Sequence, residues 1–431
     1  MTAASLFSLS PEQHDLLAPR QPVSTVPSFL DPEIAEAELK YCGVGASDRG
    51  YVLERVPLML ASQEAVAMVA GLAERAFPPG TPEGGAVTPA DATRELESPG
   101  RWPETGEAND LLGAAYLLIA GTMAPLVRET HRRLSIPEDV TQATCGQVAG
   151  FCLNHKTAFS GRPGILPRQL YWLRHYPAGR LFRIGRFEYM RATYDHAGPV
   201  YRHKWYGWTV VFADPAHRVA ADGQVLVRSG DVGDGSGSFV PTVRVEEGSV
   251  VGHLVTPWGV VERERRAIST DEWEPVLRHG DPVLDIHIPP GGGMYPERCR
   301  KSLVGAFAFF ERYFPSHGAK AAVCRSWIFN TQLESSMPDG NLAAFMRQVY
   351  LVPAYSSGND GLFFVFCRTY DALKDYPRDT RLRRALLDVL ESGRTLRTTG
   401  MIYFRSDLER FGGEPYRSDW RPMIDRLVRS S

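Results

Sequence analysis

Two titratable side chains, Asp285 and His287, lie two residues apart at the end of a short apolar run. The run covers residues 283–288 and predicts a mostly buried β-strand. Since residues i and i+2 of a strand share a face, the carboxylate and the imidazole are expected side by side. An imidazole with a pKa of about 6.5 can act as a general base near neutral pH, and the carboxylate can orient it or bind an amine. The same pattern also fits a core histidine beside a salt-bridged aspartate.

A glycine loop follows this strand. Pro289-Pro290 ends the strand, because proline lacks the N–H group that a β-ladder needs. Gly291-Gly292-Gly293 comes next, and Tyr295-Pro296-Glu297 starts a helix with proline in its first turn. A strand, a glycine loop and a helix N-terminus together can bind phosphate, because N–H groups and the helix dipole attract an anion. The alternative is a plain tight turn between two buried elements.

The first third of the chain has the pattern of helices. Asp31-Pro32-Glu33 and Ser62-Gln63-Glu64 combine a capping residue with an early acid, as helix starts do. Helices are predicted over 31–41, 62–77, 107–134 (one helix or a broken pair) and 136–159. Residues 78–105 are rich in proline and glycine and predict a long irregular connection. We therefore expect a mainly α-helical N-terminal domain over residues 1–165.

From residue 166 the pattern changes to strands and turns, which predicts a second domain over residues 166–431. Strands are predicted at 170–176, 181–190, 205–212, 224–227, 240–245, 249–254, 283–288, 321–327, 361–368 and 400–404. Helices are predicted from 295, at 342–350 and at 380–391, and a flexible turn at 231–238. The fold class is α/β (α+β), with antiparallel strands leading into the strand, loop and helix described above.

Composition excludes several classes of protein. The 431 residues are 43% hydrophobic and 23% charged, as in globular proteins. A formal net charge of −2 gives no electrostatic reason to expect nucleic acid or an anionic membrane as a partner.

The six cysteines include no C-x-x-C pair and are expected to be reduced core thiols. Asp285 and His287 have no third metal ligand at a useful spacing, so no metal site is expected there. The uncharged run 111–127 is expected to be a buried helix. Residues 1–30 lack a signal-peptide pattern, so we expect a cytoplasmic protein.

A family resemblance rests on several short segments in order. They are Arg183-Ile184-Gly185-Arg186-Phe187, His287-Ile288-Pro289 with Gly291-Gly292, Cys324 with Ser326-Trp327, and Asn341 with 345–347. On these residues the chain resembles the GNAT superfamily of acyl-CoA N-acyltransferases. More closely, it resembles the bacterial two-domain acyltransferases that join a helical N-acyltransferase N-terminal domain to a GNAT-like C-terminal domain. The resemblance covers about 150–405 well and 30–150 loosely. It implies a helical domain packed on a mixed sheet that is splayed at its middle, with acyl-CoA in the gap.

The resemblance also implies site residues. The strand and the loop would bind pantetheine and pyrophosphate, so the expected cofactor-binding residues are Ile288, Pro290, Gly291, Gly292, Gly293 and Asn341. The expected catalytic residues are His287, Glu188, Asp285 and Ser326. His287 would be the general base. Ser326, across the gap, would donate to the thioester. Glu188 shares a strand face with Arg186, so the two form either a surface ion ladder or one wall of an acceptor pocket. A Cys324–His287 acyl-enzyme is a further alternative.

Two positions depart from the family pattern. The usual glycine loop contains a basic residue, whereas Pro290-Gly291-Gly292-Gly293 contains none, which leaves an acyl-carrier protein open as the donor. Family members carry a tyrosine that acts as the general acid and protonates the leaving thiolate. The corresponding residue in this chain is Gln348. Tyr350 lies about 200° further around a helix and is a poor substitute. The resemblance implies acyl transfer from acyl-CoA to an amine or hydroxyl of a small molecule. A non-catalytic acyl-CoA sensor and a thioester hydrolase remain alternatives.

Overall fold

The structure is a computed structural model that describes residues 6–17, 23, 25–78, 102–107, 109–226 and 237–430. The chain forms two compact units. One comprises Met1–Ile184 and Ile288–Gly291, and the other comprises Gly185–His287 and Gly292–Ser431. The division predicted at residues 165 and 166 stays a prediction. Most of the predicted connection 78–105 and of the predicted turn 231–238 lies outside the described residues.

The described residues of the first unit are mainly helical. Its helices are α1 (Pro11–Leu17), α2 (Pro32–Tyr41), α3 (Ala46–Leu53), α4 (Val56–Met59), α5 (Gln63–Ala76), α6 (Asp110–Gly121), α7 (Met123–Arg133), α8 (Glu138–Cys145), α9 (Gln147–Ala158) and α10 (Pro167–Trp172), followed by strand β1 (Leu181–Ile184). The predicted caps are confirmed. The Asp31 carboxylate accepts from two N–H groups in the first turn of α2, and the Ser62 hydroxyl accepts from the N–H of Ala65 at 3.1 Å. The described part of residues 31–150 contains no strand.

Helix α6 forms the centre of this unit, because every residue from Leu112 to Gly121 is buried. Pro125 has no N–H to donate to the carbonyl of Gly121, which explains why α6 ends there and α7 begins two residues later. The combined stretch Asp110–Arg133 is long and apolar enough to cross a membrane, and 78% of its most apolar window is buried inside the fold. Its composition is therefore also that of a core helix.

Two predicted strands are wrong. Residues 170–175 belong to α10 and a following 3-10 turn, Leu173–His175, and Tyr176 lies in the turn after it. Most of the run is buried, and a short, mostly apolar run does not distinguish a buried strand from a buried helix. Residues 361–368 contain a five-residue helix, Leu362–Phe366, because Gly361 and Cys367 at its two ends have φ values of +97° and +56°. Left-handed residues at both ends do not continue a strand.

The second unit contains most of the strands. They are β2 (Phe187–Thr193), β3 (Val200–His203), β4 (Thr209–Phe212), β5 (Val243–Glu246), β6 (Ser249–Thr256), β7 (Val260–Ser269), β8 (Trp273–Leu277), β9 (Pro282–His287), β10 (Ala321–Ser326), β11 (Tyr350–Pro353) and β12 (Thr399–Phe404). Its helices are α11 (Pro296–Tyr313), α12 (Thr331–Ser336), α13 (Asn341–Met346), α14 (Leu362–Phe366), α15 (Arg381–Glu391) and α16 (Pro415–Ser430). At the predicted strand 224–227, the described residues form an isolated bridge between Val219 and Val225.

The strands of this unit form two sheets. One has the order β2-β9-β10-β12-β11, and the other has the order β5-β6-β4-β3-β8 with β7 paired to β6. Helix α11 packs on the first sheet: the hydroxyl of Ser302 lies 2.9 Å from the hydroxyl of Tyr189 and accepts from the N–H of Phe187 at 3.1 Å. The Tyr350 hydroxyl on β11 donates to the carbonyl of Val255 on β6 at 2.5 Å, which joins the two sheets.

The first sheet opens at its middle. Strands β9 and β10 run parallel and share three residue pairs, of which the last joins Asp285 to Val323. Strand β9 continues to His287, and β10 continues to Ser326 while paired on its other side with β12. The C-terminal ends of β9 and β10 therefore separate, as the family resemblance implies for an acyl-CoA site.

Candidate active site

Asp285 and His287 project from the part of β9 where the sheet opens. Their side chains are half-buried, and the Nε2 of His287 lies 3.6 Å from the Oδ2 of Asp285. This distance is too long for a strong hydrogen bond but short enough for a sizeable electrostatic effect. Burial lowers the pKa of His287 below its usual value, and the charge of Asp285 partly offsets this shift. The imidazole is thus neutral at pH 7, which is the protonation state that a general base requires.

Glu188 lies directly opposite His287 in the antiparallel pairing of β2 with β9. Residues paired in this way share a face of the sheet, so Glu188, His287 and Asp285 are on one face. Glu188 is 2% exposed and Arg186 is 7% exposed. Their interpretation as a surface ion ladder is therefore wrong, because both side chains are buried.

Arginine side chains support the glycine loop from outside. Gly291, Gly292 and Gly293 have φ values of +77°, +73° and +63°, a conformation that glycine adopts without strain. The Nε of Arg186 donates to the carbonyl of Gly293 at 2.5 Å, and the Nη1 of Arg298 donates to the carbonyl of Gly292 at 3.3 Å. These bonds fix the loop carbonyls and bring positive charge to a loop without a basic residue of its own.

Sequence reasoning missed this role of Arg186. It lies 107 residues before Gly293 in the chain, and no local pattern relates the two.

The N-terminus of α11 directly follows the loop. Tyr295 is the residue before the helix and gives it no side-chain cap, and Pro296 is the first helical residue. The N–H groups of the first helical turn have no acceptor within the helix. Gly292, Gly293, Glu297 and Arg298 are all exposed. The arrangement can thus accept an anion through N–H groups and the helix dipole.

The structure places Ser326 away from His287. Val323 pairs with Asp285, and Ser326 is three residues further along β10, so it points to the opposite face of the sheet. Its hydroxyl accepts from the N–H of Ile328 at 3.3 Å. Cys324 also belongs to the opposite face. Burial and the charge of Asp285 raise the pKa of the Cys324 thiol well above its usual range, so this thiol is neutral and a poor nucleophile.

Neither residue considered for the family's acid position is available as an acid. Gln348 is buried, and its Oε1 accepts from the N–H groups of Gly412 and Glu414 at 2.8 and 3.2 Å. Tyr350 belongs to strand β11 rather than to a helix, and its hydroxyl donates to a carbonyl within the fold. Asn341 is the exposed first residue of α13. Within the described residues, no group of three or more His, Cys, Asp or Glu side chains is placed to hold a metal ion.

The fold and this site define a class of protein. A family model described as a GNAT-like C-terminal domain matches residues 181–402, which is just over half of the chain. The chain therefore belongs to the GNAT-like C-terminal domain family. A search of curated proteins returned no match.

Solved structures of acyltransferases share the fold. An acyltransferase in complex with decanoyl-CoA and teicoplanin aligns with a TM-score of 0.56 at 19% identity, over 94% of this chain and 99% of that chain. An acyltransferase mutant in complex with octanoyl-CoA aligns with a TM-score of 0.55, at the same identity and coverage. The likeness extends over nearly the whole chain. It confirms the predicted fold, a helical N-terminal region with a GNAT-like mixed sheet after it.

Proposed function

We propose that this protein transfers an acyl group from acyl-CoA to an amine or a hydroxyl of a small molecule. The observation that carries the proposal is the opening between β9 and β10, with a glycine loop and the N-terminus of α11 directly after β9. Membership of the GNAT-like family supports it. The structural neighbours are acyltransferases with CoA or acyl-CoA bound, which also supports acyl-CoA as the donor.

The donor would bind along β9 and the loop. The amide groups of pantetheine would pair with backbone groups that β9 and β10 leave open beyond Asp285. The pyrophosphate would accept from N–H groups of the loop and of the first turn of α11. The charges of Arg186 and Arg298 lie at the same loop and favour an anion there. The two arginines supply the positive charge that the loop itself lacks. For this reason we favour CoA over an acyl-carrier protein as the donor.

The reaction would need one base. The nitrogen of the acceptor amine would attack the thioester carbon. The neutral imidazole of His287 would take a proton from this amine, directly or through a water molecule. A C–N bond then forms, the C–S bond breaks, and CoA leaves as a thiolate. The imidazolium formed in the first step can return its proton to this thiolate. Such a cycle would operate without the family's tyrosine, whose position is taken by Gln348.

The acceptor is a small molecule in this proposal. One structural neighbour holds teicoplanin together with decanoyl-CoA, so a teicoplanin-like glycopeptide belongs in any acceptor panel. Simple primary amines and amino sugars complete it, because the proposed chemistry needs only a nucleophilic nitrogen or oxygen.

The direct test incubates the purified protein with acyl-CoA and the acceptor panel. Release of CoA thiol is followed with a thiol reagent, and products are identified by mass spectrometry. Acyl transfer predicts thiol release that depends on the acceptor, and a product heavier by the acyl group. Release of free acid without an acceptor would indicate a hydrolase. Binding of acyl-CoA without any release would indicate a sensor.

A further inference from the structure

Strand β5 is the outermost strand at one end of the second sheet. It pairs with β6 on one side, and no other described strand pairs with its outer side. Arg244, Val245 and Glu246 are exposed, Val245 by 76%. The strand at the opposite end of the sheet, β8, carries Pro275, which has no N–H to donate to a further strand. Strand β5 contains no proline, so its backbone can pair with another strand.

The backbone of β5 presents its hydrogen-bonding groups outward at alternate residues. The N–H of His253 on β6 donates to the carbonyl of Thr242, one residue before β5, at 3.0 Å. The same register pairs each residue of β5 with a residue of β6. Along an antiparallel ladder, pairs that exchange N–H···O bonds alternate with pairs that do not. The backbone groups of Arg244 and Glu246 therefore face β6, whereas the N–H and the carbonyl of Val245 face outward.

The side chains of β5 carry opposite charges on the two sides of Val245. Arg244 and Glu246 share one face of the sheet, because residues i and i+2 of a strand do so. Neither forms an ion pair with another residue in the part of the chain that the structure describes. A second β5 strand, antiparallel to the first and centred on Val245, would place Arg244 of each copy opposite Glu246 of the other. Opposite charges in such cross-strand pairs stabilise and like charges destabilise, so β5 is complementary to itself.

We propose that two copies of this protein associate through β5, with the strands antiparallel and Val245 of one copy opposite Val245 of the other. The two Val245 residues exchange two N–H···O bonds, and Arg244 and Glu246 form two ion pairs. Both copies use the same residues, so the contact is isologous and closes at two copies. A strand of four residues gives a small contact area, which is typical of a weak, transient dimer.

The test measures the oligomeric state of the full chain by sedimentation velocity at protein concentrations up to about 0.5 mM. Wild type should form a dimer whose fraction rises with concentration. Arg244→Glu and Glu246→Arg should each stay monomeric, because each variant places like charges opposite one another. An equimolar mixture of the two variants should dimerise again, since every glutamate then meets an arginine. The double variant, in which the two charges are exchanged, should also dimerise.

Arg381→Glu is the matched control. Arg381 is an exposed arginine at the start of α15 in the same unit, and its replacement changes the net charge equally. This variant should dimerise like the wild type.

Two results would overturn the proposal. If wild type stays monomeric at about 0.5 mM, the two charges protect β5 from pairing, as charged residues on an outermost strand commonly do. If both single variants still dimerise, or their mixture stays monomeric, any contact between copies lies on another surface.

Discussion

Replacement of His287 by alanine tests the assignment of the general base. The side chain is 29% exposed, so its removal should change the free energy of unfolding less than the loss of a fully buried side chain would. The loss of a general base lowers kcat by 10²- to 10⁴-fold, which corresponds to about 3–5 kcal/mol of transition-state stabilisation. We expect a decrease in this range for His287→Ala, with an unchanged Kd for CoA. Steady-state kinetics with saturating acyl-CoA and calorimetry with CoA measure the two quantities separately.

The pH profile gives a second measurement. Burial lowers the pKa of His287, so kcat/KM of the wild type should fall only at pH values below about 6.5. This acidic limb should disappear in His287→Ala. Because the charge of Asp285 raises the pKa of His287, Asp285→Asn should move the limb to still lower pH.

The free energy of unfolding should also decrease at acidic pH. The folded protein takes up the proton on His287 less readily than the unfolded chain does. The stability that depends on neutral His287 is present above the unfolded pKa and is lost as pH falls toward the folded value.

His317 supplies the matched control. It is half-buried in the same unit, burial lowers its pKa, and its Nε2 lies 2.8 Å from the carbonyl of Val283 on the same strand. His317→Ala should reduce the midpoint of thermal unfolding but keep the acidic limb. If His287→Ala retains more than about a third of the wild-type rate at pH 7, the histidine is structural. Glu188 would then be the first residue to test.

Three further predictions concern the loop, the position of the family's acid and the buried thiol. Gly292→Val should weaken CoA binding at least tenfold, about 1.4 kcal/mol, because valine is strained at a φ of +73°; Gly280→Val, with a φ of +86° in another turn, should leave the Kd unchanged in calorimetry. Gln348→Leu should lower the free energy of unfolding in urea by about 1–2 kcal/mol, since two backbone N–H groups lose their acceptor, and an unchanged midpoint would argue against this account. Cys324→Ala should keep kcat within about threefold, as expected for a buried neutral thiol; a loss of a hundredfold or more, with an acyl adduct on the wild-type thiol in mass spectrometry, would support an acyl-enzyme instead.

Strand β9, the glycine loop and helix α11 were predictable because single residues of the local sequence determine where they begin and end. Pro289 ends β9 and Pro296 begins α11, and each acts through its missing N–H group and its fixed φ. The strand predicted at 361–368 is wrong because Cys367, near the end of this segment, has a left-handed backbone conformation. Cysteine as a residue type gives no indication of this conformation. A residue's backbone angle can thus depend on packing that the local sequence does not show.

Long-range contacts of the candidate site were beyond local patterns for the same reason. Spacing along β9 was enough to place Asp285 beside His287. The bond from Arg186 to Gly293 and the pairing of Glu188 with His287 depend on β2 lying next to β9. Without knowledge of that sheet order, the sequence alone allows Arg186 and Glu188 to be interpreted as an exposed ion pair. Strand neighbours far apart in the chain are fixed by tertiary packing, which single-sequence periodicity does not encode.

The opening between β9 and β10 amounts to two sheet edges that face each other inside the second unit. An edge is a template for any extended chain that carries amide groups, and proteins usually protect their edges from such pairing. Here the edges continue from the last shared pair, Asp285 with Val323, toward the ends of both strands. A ligand with spaced amides can complete the ladder as an added strand would. Short extended peptides should therefore compete for this gap, and the amide hydrogens along it should exchange more slowly whenever the ladder is complete.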